Sequence, residues 1–403
     1  MKQFDITYFY GPTSEYIVKE ECIADIAASG ITLCQLLRIS PEVIKIALPI
    51  LKKYGLKANI YENRITDVRR SGDLSAVDAV VKEVVEDYAA FDNIVGWDIC
   101  DEPSADDFEM LDTIAEAFRK YSPEKEIIIN LYPNYSKTEQ IKTPDYITYL
   151  KDFVKVVKPD LLSYDHYPFN GRLRKEALPD PNLVKEERER LIRLAALKAE
   201  DRDDFFENLE DVRRIGLENG LEQMLIIQLP EFGCCRYLMR PEILWEVNMC
   251  LAYGMHRISY FTYWLPEQEE NDKWWSWDNS MCDRQGNKFD HYYDVQAINK
   301  QIRPIGEKLF KTTSEAVFHI VKPEKATRQF EGYKFITDVV GENGVIGFFK
   351  DGSVYLVNRD FRNENTLTIH SDKELFVWEH DEFVSVGNTY TITLPAGAGI
   401  LMK

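Results

Sequence analysis

The sequence has no cysteine pattern that predicts a disulfide framework or a zinc site. It contains seven cysteines, an odd number, and no pair with the C-x-x-C spacing. Cys234 and Cys235 are adjacent, which is poor geometry for a mutual disulfide, and the other cysteines are typical of small buried hydrophobes. These features exclude a zinc ribbon and a thioredoxin-type site, and they predict a reducing compartment, the cytoplasm.

Long apolar runs and positive charge are also scarce. No stretch of about 18 apolar residues occurs, and the start, Met1 to Asp5, lacks the apolar segment of a signal peptide. The chain has 49 Lys and Arg against 68 Asp and Glu, which gives a net charge of -19. This excess of acid argues against nucleic acid and anionic membranes as partners, because both attract basic surfaces.

A glycine-rich phosphate loop is missing after the first predicted strand, where Tyr10-Gly11-Pro12-Thr13 stands instead. This absence disfavours an open doubly wound sheet, which is the alternative fold. Within residues 1–312, eight short apolar runs alternate with helical runs. Strand-helix alternation indicates a parallel sheet, and eight units predict a closed (β/α)8 TIM barrel in the α/β class.

The pattern changes near residue 313. Residues 313–403 consist of short alternating runs with turn signals, and Asp351-Gly352 is a strong hairpin signal. The sequence therefore predicts a catalytic barrel, residues 1–312, followed by a small antiparallel β-sandwich domain, residues 313–403. Residues 171–220 are charge-rich and predict solvated helices at about Lys185 to Lys198 and Asp204 to Glu218, which rim the site or form a homo-oligomer contact.

Two predicted strands end in a glutamate. The fourth strand runs into Asp101-Glu102-Pro103, and the seventh runs into Pro230-Glu231-Phe232-Gly233. Because side chains alternate along a strand, Glu102 is in phase with Cys100 and Glu231 is in phase with Leu229. Strands four and seven lie opposite each other in a barrel, so the two carboxylates are expected to converge. Glycoside hydrolysis needs such a pair, one as proton donor and one as nucleophile or base.

The other predicted strand ends carry residues suited to a sugar, which presents apolar faces and many hydroxyls. We expect a carbohydrate to contact side chains at these ends, and no metal or cofactor is needed for this chemistry. The candidate substrate-binding residues are Arg38, Asp101, Tyr132, His166, Tyr167, Trp264 and Trp277.

These motifs resemble those of the clan A glycoside hydrolases. The resemblance rests on Asp-Glu-Pro at strand four, Pro-Glu-Phe-Gly at strand seven and a Trp ending strand eight, and it spans about residues 5 to 310. It implies a retaining mechanism on a β-linked sugar, with Glu102 as acid/base and Glu231 as nucleophile. It also implies that Trp264 is the platform under the sugar and that Tyr167 or His166 supports the nucleophile.

Asp101 departs from that clan, which usually has Asn before the acid/base to donate to the sugar 2-hydroxyl. An ionised Asp only accepts hydrogen bonds. Its negative charge beside Glu102 is also expected to raise the pKa of one member of the pair.

Two functions of other classes remain open. A metal-dependent sugar isomerase or lyase would use Asp101, Glu102, Asp165, His166 and Glu231 around a divalent cation. A non-catalytic sugar-binding barrel would keep the pocket without turnover. Structural roles also remain open, namely helix capping by Glu102, an ion pair of Glu231 with Arg236, core packing of Trp264 and a hydrogen-bonded structural His166.

Overall fold

The structure is a computed structural model of the chain, and it describes residues 3–171, 201–267, 277–320 and 325–403. Eight parallel strands close into a barrel in the order in which they occur along the chain. They are β1 (Asp5–Phe9), β2 (Leu33–Leu36), β3 (Lys57–Tyr61), β4 (Ile94–Asp101), β5 (Glu126–Leu131), β6 (Leu161–His166), β7 (Glu222–Gln228) and β8 (Arg257–Phe261). The predicted (β/α)8 barrel is therefore confirmed.

Helices separate the strands and cover the outside of the barrel. Those in the described residues are α1 (Ser14–Ile17), α2 (Glu20–Ala28), α3 (Pro41–Lys53), α4 (Asn63–Ser71), α5 (Val77–Tyr88), α6 (Phe108–Tyr121), α7 (Thr138–Ile141), α8 (Tyr146–Val157), α9 (Phe205–Asn219), α10 (Arg240–Ala252) and α11 (Asp290–Leu309). The helix predicted at Asp204 to Glu218 is α9, whereas the one predicted at Lys185 to Lys198 lies outside the described residues. None of these helices is both long and apolar enough to cross a bilayer.

The C-terminal part forms one seven-stranded antiparallel sheet, as the hairpin signals predict. Its strands are β9 (Ser314–Ile320), β10 (Ile336–Val340), β11 (Gly344–Phe349), β12 (Val354–Asn358), β13 (Asn365–Glu379), β14 (Glu382–Leu394) and β15 (Gly399–Met402). The sheet has a small apolar core of its own, which includes Ile346, Leu356 and Ile369.

Helix α10 connects the barrel to the C-terminal sheet, and it is buried on all sides. A helix packed on one face has a single apolar stripe, whereas a helix between two layers is covered all round. Tyr355 of the sheet donates to Asn248 of α10 (2.7 Å), and Asn248 donates to the carbonyl of Gly397 (2.8 Å). These side-chain hydrogen bonds satisfy polar atoms that close packing would otherwise leave without a partner.

Replacement of Gly347 by Ala is expected to destabilise this contact. A Cβ at Gly347 in β11 would lie 2.1 Å from the backbone carbonyl oxygen of Ala252. Backbone yields less readily than a side chain, so we expect a loss of about 1–3 kcal/mol in the free energy of unfolding. Gly344→Ala is the control, since its Cβ would meet the movable side chain of Ile320. Equal shifts of the urea midpoint in both variants would contradict this interpretation.

Candidate active site

A cavity of about 560 Å³ opens at the C-terminal mouth of the barrel, and we refer to it as the mouth cavity. This volume is in the range that small ligands occupy. Aromatic rings supply much of its wall, namely Phe9, Tyr10, Tyr61, Phe261 and Trp277. Its polar side chains are Arg38, Asn63, Thr66, Arg70, Asp101 and Glu267. Of the candidate substrate-binding residues, Arg38, Asp101 and Trp277 line this cavity.

Three non-glycine residues at this mouth have a left-handed backbone. Tyr10 after β1 has φ 71°, Arg38 after β2 has φ 55°, and Glu102 after β4 has φ 44°. Such a backbone is unfavourable for residues with a side chain, and it concentrates at functional sites. The shared feature favours a functional role for this end of the barrel.

A bulge in β4 decides which acidic side chain faces the interior. The pairing of β4 with β5 shifts register between Asp98 and Cys100. As a result Asp98 accepts a hydrogen bond from Gln35 of β2, and Asp101 accepts one from Asn130 of β5 (3.1 Å). Cys100 instead belongs to the large apolar core. The extra residue therefore breaks the phase of Cys100 and Glu102 with Asp98, and Asp101 continues the inward face.

Asn130 holds two carboxylates together. Its amide nitrogen donates to Asp101 (3.1 Å) and to Asp165 of β6 (2.9 Å), while its amide oxygen accepts from Ser163 (3.0 Å). Burial and the charge of Asp101 raise the pKa of Asp165 to about 7, against hydrogen bonds from Asn130 and Tyr167 that favour its ionised form. Asp165 is thus a central member of the site.

The carboxyl group of Glu102 has a raised pKa. Burial, followed by the negative charges of Asp165 and Asp101, raises its pKa from 4.5 to about 9. The sequence predicts the effect of Asp101, and the structure adds the larger effect of Asp165. At neutral pH Glu102 is therefore protonated and able to donate a proton, as a general acid requires.

Tyrosines surround this acid. The charge of Glu102 contributes to raised pKa values of Tyr132, Tyr135 and Tyr167, for each of which burial is the larger cause. Tyr167 also packs edge-on against Phe232, with ring centroids 5.1 Å apart, and lies 5.3 Å from the ring of Phe261. Tyr132 and Tyr167 therefore lie within range of the charge of Glu102.

Glu231 is not directed into the mouth cavity. Its backbone exchanges two hydrogen bonds with Asp278 (2.9 and 3.0 Å), which form an isolated antiparallel bridge. The rings of the adjoining residues, Phe232 and Trp277, stack at 4.9 Å, and Trp277 lines the cavity. Because side chains alternate, Glu231 faces the other side, where its carboxylate accepts from Asn279. The ion pair with Arg236 is not what holds it, since Arg236 binds Glu242 (2.6 Å) and Asp201 (3.5 Å).

The ring at the end of β8 is Phe261 rather than Trp264. The strand ends at Phe261, which lines the mouth cavity beside Trp277 at 5.7 Å. Trp264 is only 2% exposed and packs on Tyr16 at 4.9 Å, so it presents no face to a ligand there. Core packing is therefore the observed arrangement of Trp264. The sequence gives no local signal for this, because Phe261 and Trp264 lie in one apolar run.

His166 lies behind the wall of the site. It is fully buried between the rings of Tyr135 (5.1 Å) and Phe205 (5.2 Å), and Nε2 contacts Asp204 at 3.0 Å. Burial lowers its pKa, with Asp204 opposing that effect. This arrangement matches a hydrogen-bonded structural histidine. Within the described ranges, no group of three His, Cys, Asp or Glu side chains has the geometry of a metal site.

Sequence comparisons find no relatives for this chain. No family model matches it, and no curated protein matches it. Solved structures are similar in fold. A protein described as a glycoside hydrolase shows a TM-score of 0.59 at 10% identity, covering 100% of this chain and 92% of that chain. A family 5 glycoside hydrolase from Bacteroides vulgatus shows 0.58 at 10% identity, covering 99% and 89%.

The β-galactosidase from the psychrophilic Marinomonas ef1 is a third structural neighbour. Its TM-score is 0.50 at 11% identity, covering 77% of this chain but only 62% of that protein. The present chain thus spans less than two thirds of that β-galactosidase. At such identities these likenesses establish the fold, which is that of proteins named as glycosidases.

Proposed function

We propose that this protein is a glycoside hydrolase that binds a carbohydrate in the mouth cavity, with Glu102 as the proton donor. The observation that carries the proposal is a carboxylic acid with a pKa of about 9 at the tip of a barrel strand, next to the cavity-lining Asp101. Cleavage of a glycosidic bond needs such an acid to protonate the leaving oxygen. The barrels named as glycoside hydrolases support this choice of reaction.

The cavity wall suits a sugar. Phe261 and Trp277 offer ring faces to the CH groups of a pyranose, while Asn63 and Thr66 offer hydrogen bonds to hydroxyls. Trp277 takes the place of Trp264 as the proposed platform. Tyr167 packs against the ring of Phe261 in this aromatic wall and against Phe232.

The second carboxylate is proposed to be Glu231, acting as nucleophile in a retaining double displacement on a β-linked sugar. Its side chain accepts from Asn279 on the far side of the chain segment. Attack on a sugar therefore requires Glu231 to exchange this contact for one inside the cavity. Asp101 is the rival for this role, since it already lines the cavity.

A mechanism-based label decides between these two carboxylates. A 2-deoxy-2-fluoro glycoside with an activated leaving group forms a long-lived covalent ester with the nucleophile of a retaining enzyme. Digestion and mass spectrometry are expected to locate this ester on Glu231, and Glu231→Gln is expected to lose both the label and turnover by about 10³-fold or more. Glu382→Gln, at an exposed glutamate in β14, serves as the control.

Other outcomes correct the proposal in defined ways. An ester on Asp101 would transfer the nucleophilic role to that residue. Turnover with inversion of the anomeric centre, followed by NMR, would exclude a covalent intermediate and make the second carboxylate a base. Activity that disappears with a chelator and returns with a divalent cation would favour the isomerase or lyase alternative. Sugar binding that is unchanged in Glu102→Gln and Glu231→Gln, without turnover of any glycoside by the wild type, would indicate a binding protein.

A further inference from the structure

The mouth cavity contains arginines whose positive charge is not neutralised by an ion pair. Arg38 and Arg70 line it, and no described carboxylate forms an ion pair with either. The chain as a whole carries 68 acidic against 49 basic residues, so unpaired arginines in a concave site are against the general trend. Two arginines without an ion pair in one concave site favour a ligand that brings its own negative charge.

Helix α4 shows the contrast within one element. Arg64 in its first turn binds Glu62, Glu83 and Asp87, each at 2.8 Å. Arg69 and Arg70 in its last turn form no ion pair with the described residues, and Nε of Arg69 is buried without a hydrogen-bond partner. Arg64, whose charge is neutralised, faces the outer helix α5, whereas Arg70 faces the cavity.

The spacing of residues along α4 explains how its cavity-facing side is formed. Glu62 accepts from the backbone N–H of Arg64 (3.2 Å) and starts the helix directly after β3. Residues three, four and seven positions apart share one face of a helix, so Asn63, Thr66 and Arg70 line the cavity together. Arg70 is exposed and free to swing toward a ligand.

Arg38 is held in place without a carboxylate. Its Nη1 donates to the hydroxyl of Tyr10 (2.8 Å), and its guanidinium lies 5.3 Å from the centre of that ring. The remaining N–H donors of Arg38 form no other hydrogen bond with the described residues. An arginine fixed on one edge by a tyrosine retains a planar edge for a two-point contact with an anion.

We propose that the substrate carries an anionic group, either a carboxylate or a sulfate ester, which binds between Arg38 and Arg70. This inference rests on the proposed glycosidase function, since it places the anion on the sugar that Glu102 and Asp101 would act on. Arg38 also faces Asp101, which keeps the cavity from being purely basic. A neutral sugar would leave both guanidinium groups without an ion-pair partner among the described residues.

Binding and turnover are measured separately to test this inference. Isothermal titration compares glucuronate and galacturonate with glucose and galactose, and glucose 6-sulfate with glucose. Hydrolysis compares aryl β-glucuronide with aryl β-glucoside, and aryl β-galactoside 6-sulfate with aryl β-galactoside. The anionic member of at least one pair is expected to bind about 10-fold more tightly or more, the value of one charge-assisted contact. Its advantage is expected to shrink as sodium chloride is raised.

Arg70→Gln is the variant of choice, because no described side chain depends on Arg70 for an ion pair. It is expected to remove most of the preference for the anion and to leave binding of the neutral sugar unchanged. The control is Arg303→Gln, which removes the same charge from an exposed position of α11 beside Gly30, at the opposite end of the barrel. Preference for the carboxylate sugar indicates a uronide, and preference for the sulfate ester indicates a sulfated sugar.

Failure of this inference can be told apart from failure of the glycosidase proposal. Equal or weaker binding of every anionic sugar, or loss of neutral and anionic binding together in Arg70→Gln, would overturn the anionic site. Turnover of neutral glycosides together with the same preference between anionic and neutral glycosides in wild type and Arg70→Gln would overturn it too, while supporting the hydrolase. Binding of an anionic sugar that depends on Arg70, with no hydrolysis of any glycoside, would preserve the anionic site and reject the hydrolase.

Discussion

Replacement of Glu102 by Gln is expected to lower kcat/KM for a glycoside with a poor leaving group by about 10²- to 10⁴-fold, the usual contribution of a general acid. Gln keeps the shape of the side chain but has no proton to give. Aryl glycosides with a highly activated leaving group need little protonation, so their cleavage should fall much less. The measurement is kcat/KM for both substrate types in wild type, Glu102→Gln and the control Glu109→Gln, at an exposed position in the first turn of α6.

The pH profile provides an independent check on this role. Because Glu102 acts in its protonated form, kcat/KM is expected to decrease as the pH rises through about 9. This basic limb should disappear in Glu102→Gln. Equal losses on both substrate types, together with an unchanged basic limb, would contradict the role of Glu102 as proton donor.

The same group links stability to pH. The pKa of Glu102 is about 9 in the folded protein against an ordinary value of 4.5, so the native state holds the extra proton between these pH values. Since the unfolded state binds fewer protons in that window, the free energy of unfolding contributed by this group falls as the pH rises from 4.5 to 9. Glu102→Gln should remove this decrease and make the inactive variant more stable at pH 8 than the wild type.

Replacement of Arg257 by Ala is expected to destabilise the protein by about 3–5 kcal/mol, the range for breaking a buried ion pair. Arg257 begins β8 at the end of the barrel opposite the mouth cavity and is 5% exposed. It binds Glu126 of β5 at 2.9 Å and lies 3.7 Å from Glu222 of β7. Its loss would remove the buried cation that both of these partly buried carboxylates contact.

The measurement for Arg257 is the shift of the urea midpoint, with kcat/KM recorded on the protein that remains folded. Arg214→Ala is the matched control, because Arg214 is 40% exposed and its pair with Glu218 (3.4 Å) is worth about 0–1 kcal/mol. We expect Arg257→Ala to shift the midpoint strongly without changing kcat/KM. A shift no larger than that of the control would show that the ion pairs of Arg257, at the end of the barrel opposite the mouth cavity, do not stabilise the fold.

Local periodicity was sufficient to predict the barrel. Eight apolar runs separated by helical patterns identify a parallel closed sheet, and the switch to short alternating runs after residue 313 identifies the antiparallel sheet that begins with β9 at Ser314. The placement of Glu102 at the tip of β4 was equally accessible, because an acid after a buried strand and before a Pro marks the strand end. The neighbouring Asp101 predicted a raised pKa for one member of the pair, without deciding between Asp101 and Glu102.

The direction in which individual side chains point could not be predicted from local periodicity. One extra residue in β4 moves Cys100 into the outer core and turns Asp101 inward, and no sequence pattern identifies a bulge. The end of β8 was also misjudged, since the apolar run continues to Trp264 although the ladder stops at Phe261. As a result the aromatic wall of the cavity includes Phe261, and Trp264 is in the core.

The sequence by itself determined the architecture and the strand tip at which Glu102 lies, because these depend on patterns of two to four residues repeated along the chain. Only the tertiary structure decided which charges act together. The contact of Asn130 with Asp101 and Asp165 joins three strands, and the turn of Glu231 toward Asn279 depends on a segment 48 residues away. Such contacts are set by packing between distant segments, which local sequence cannot specify. The same holds for the absence of ion pairs on Arg38 and Arg70 among the described residues.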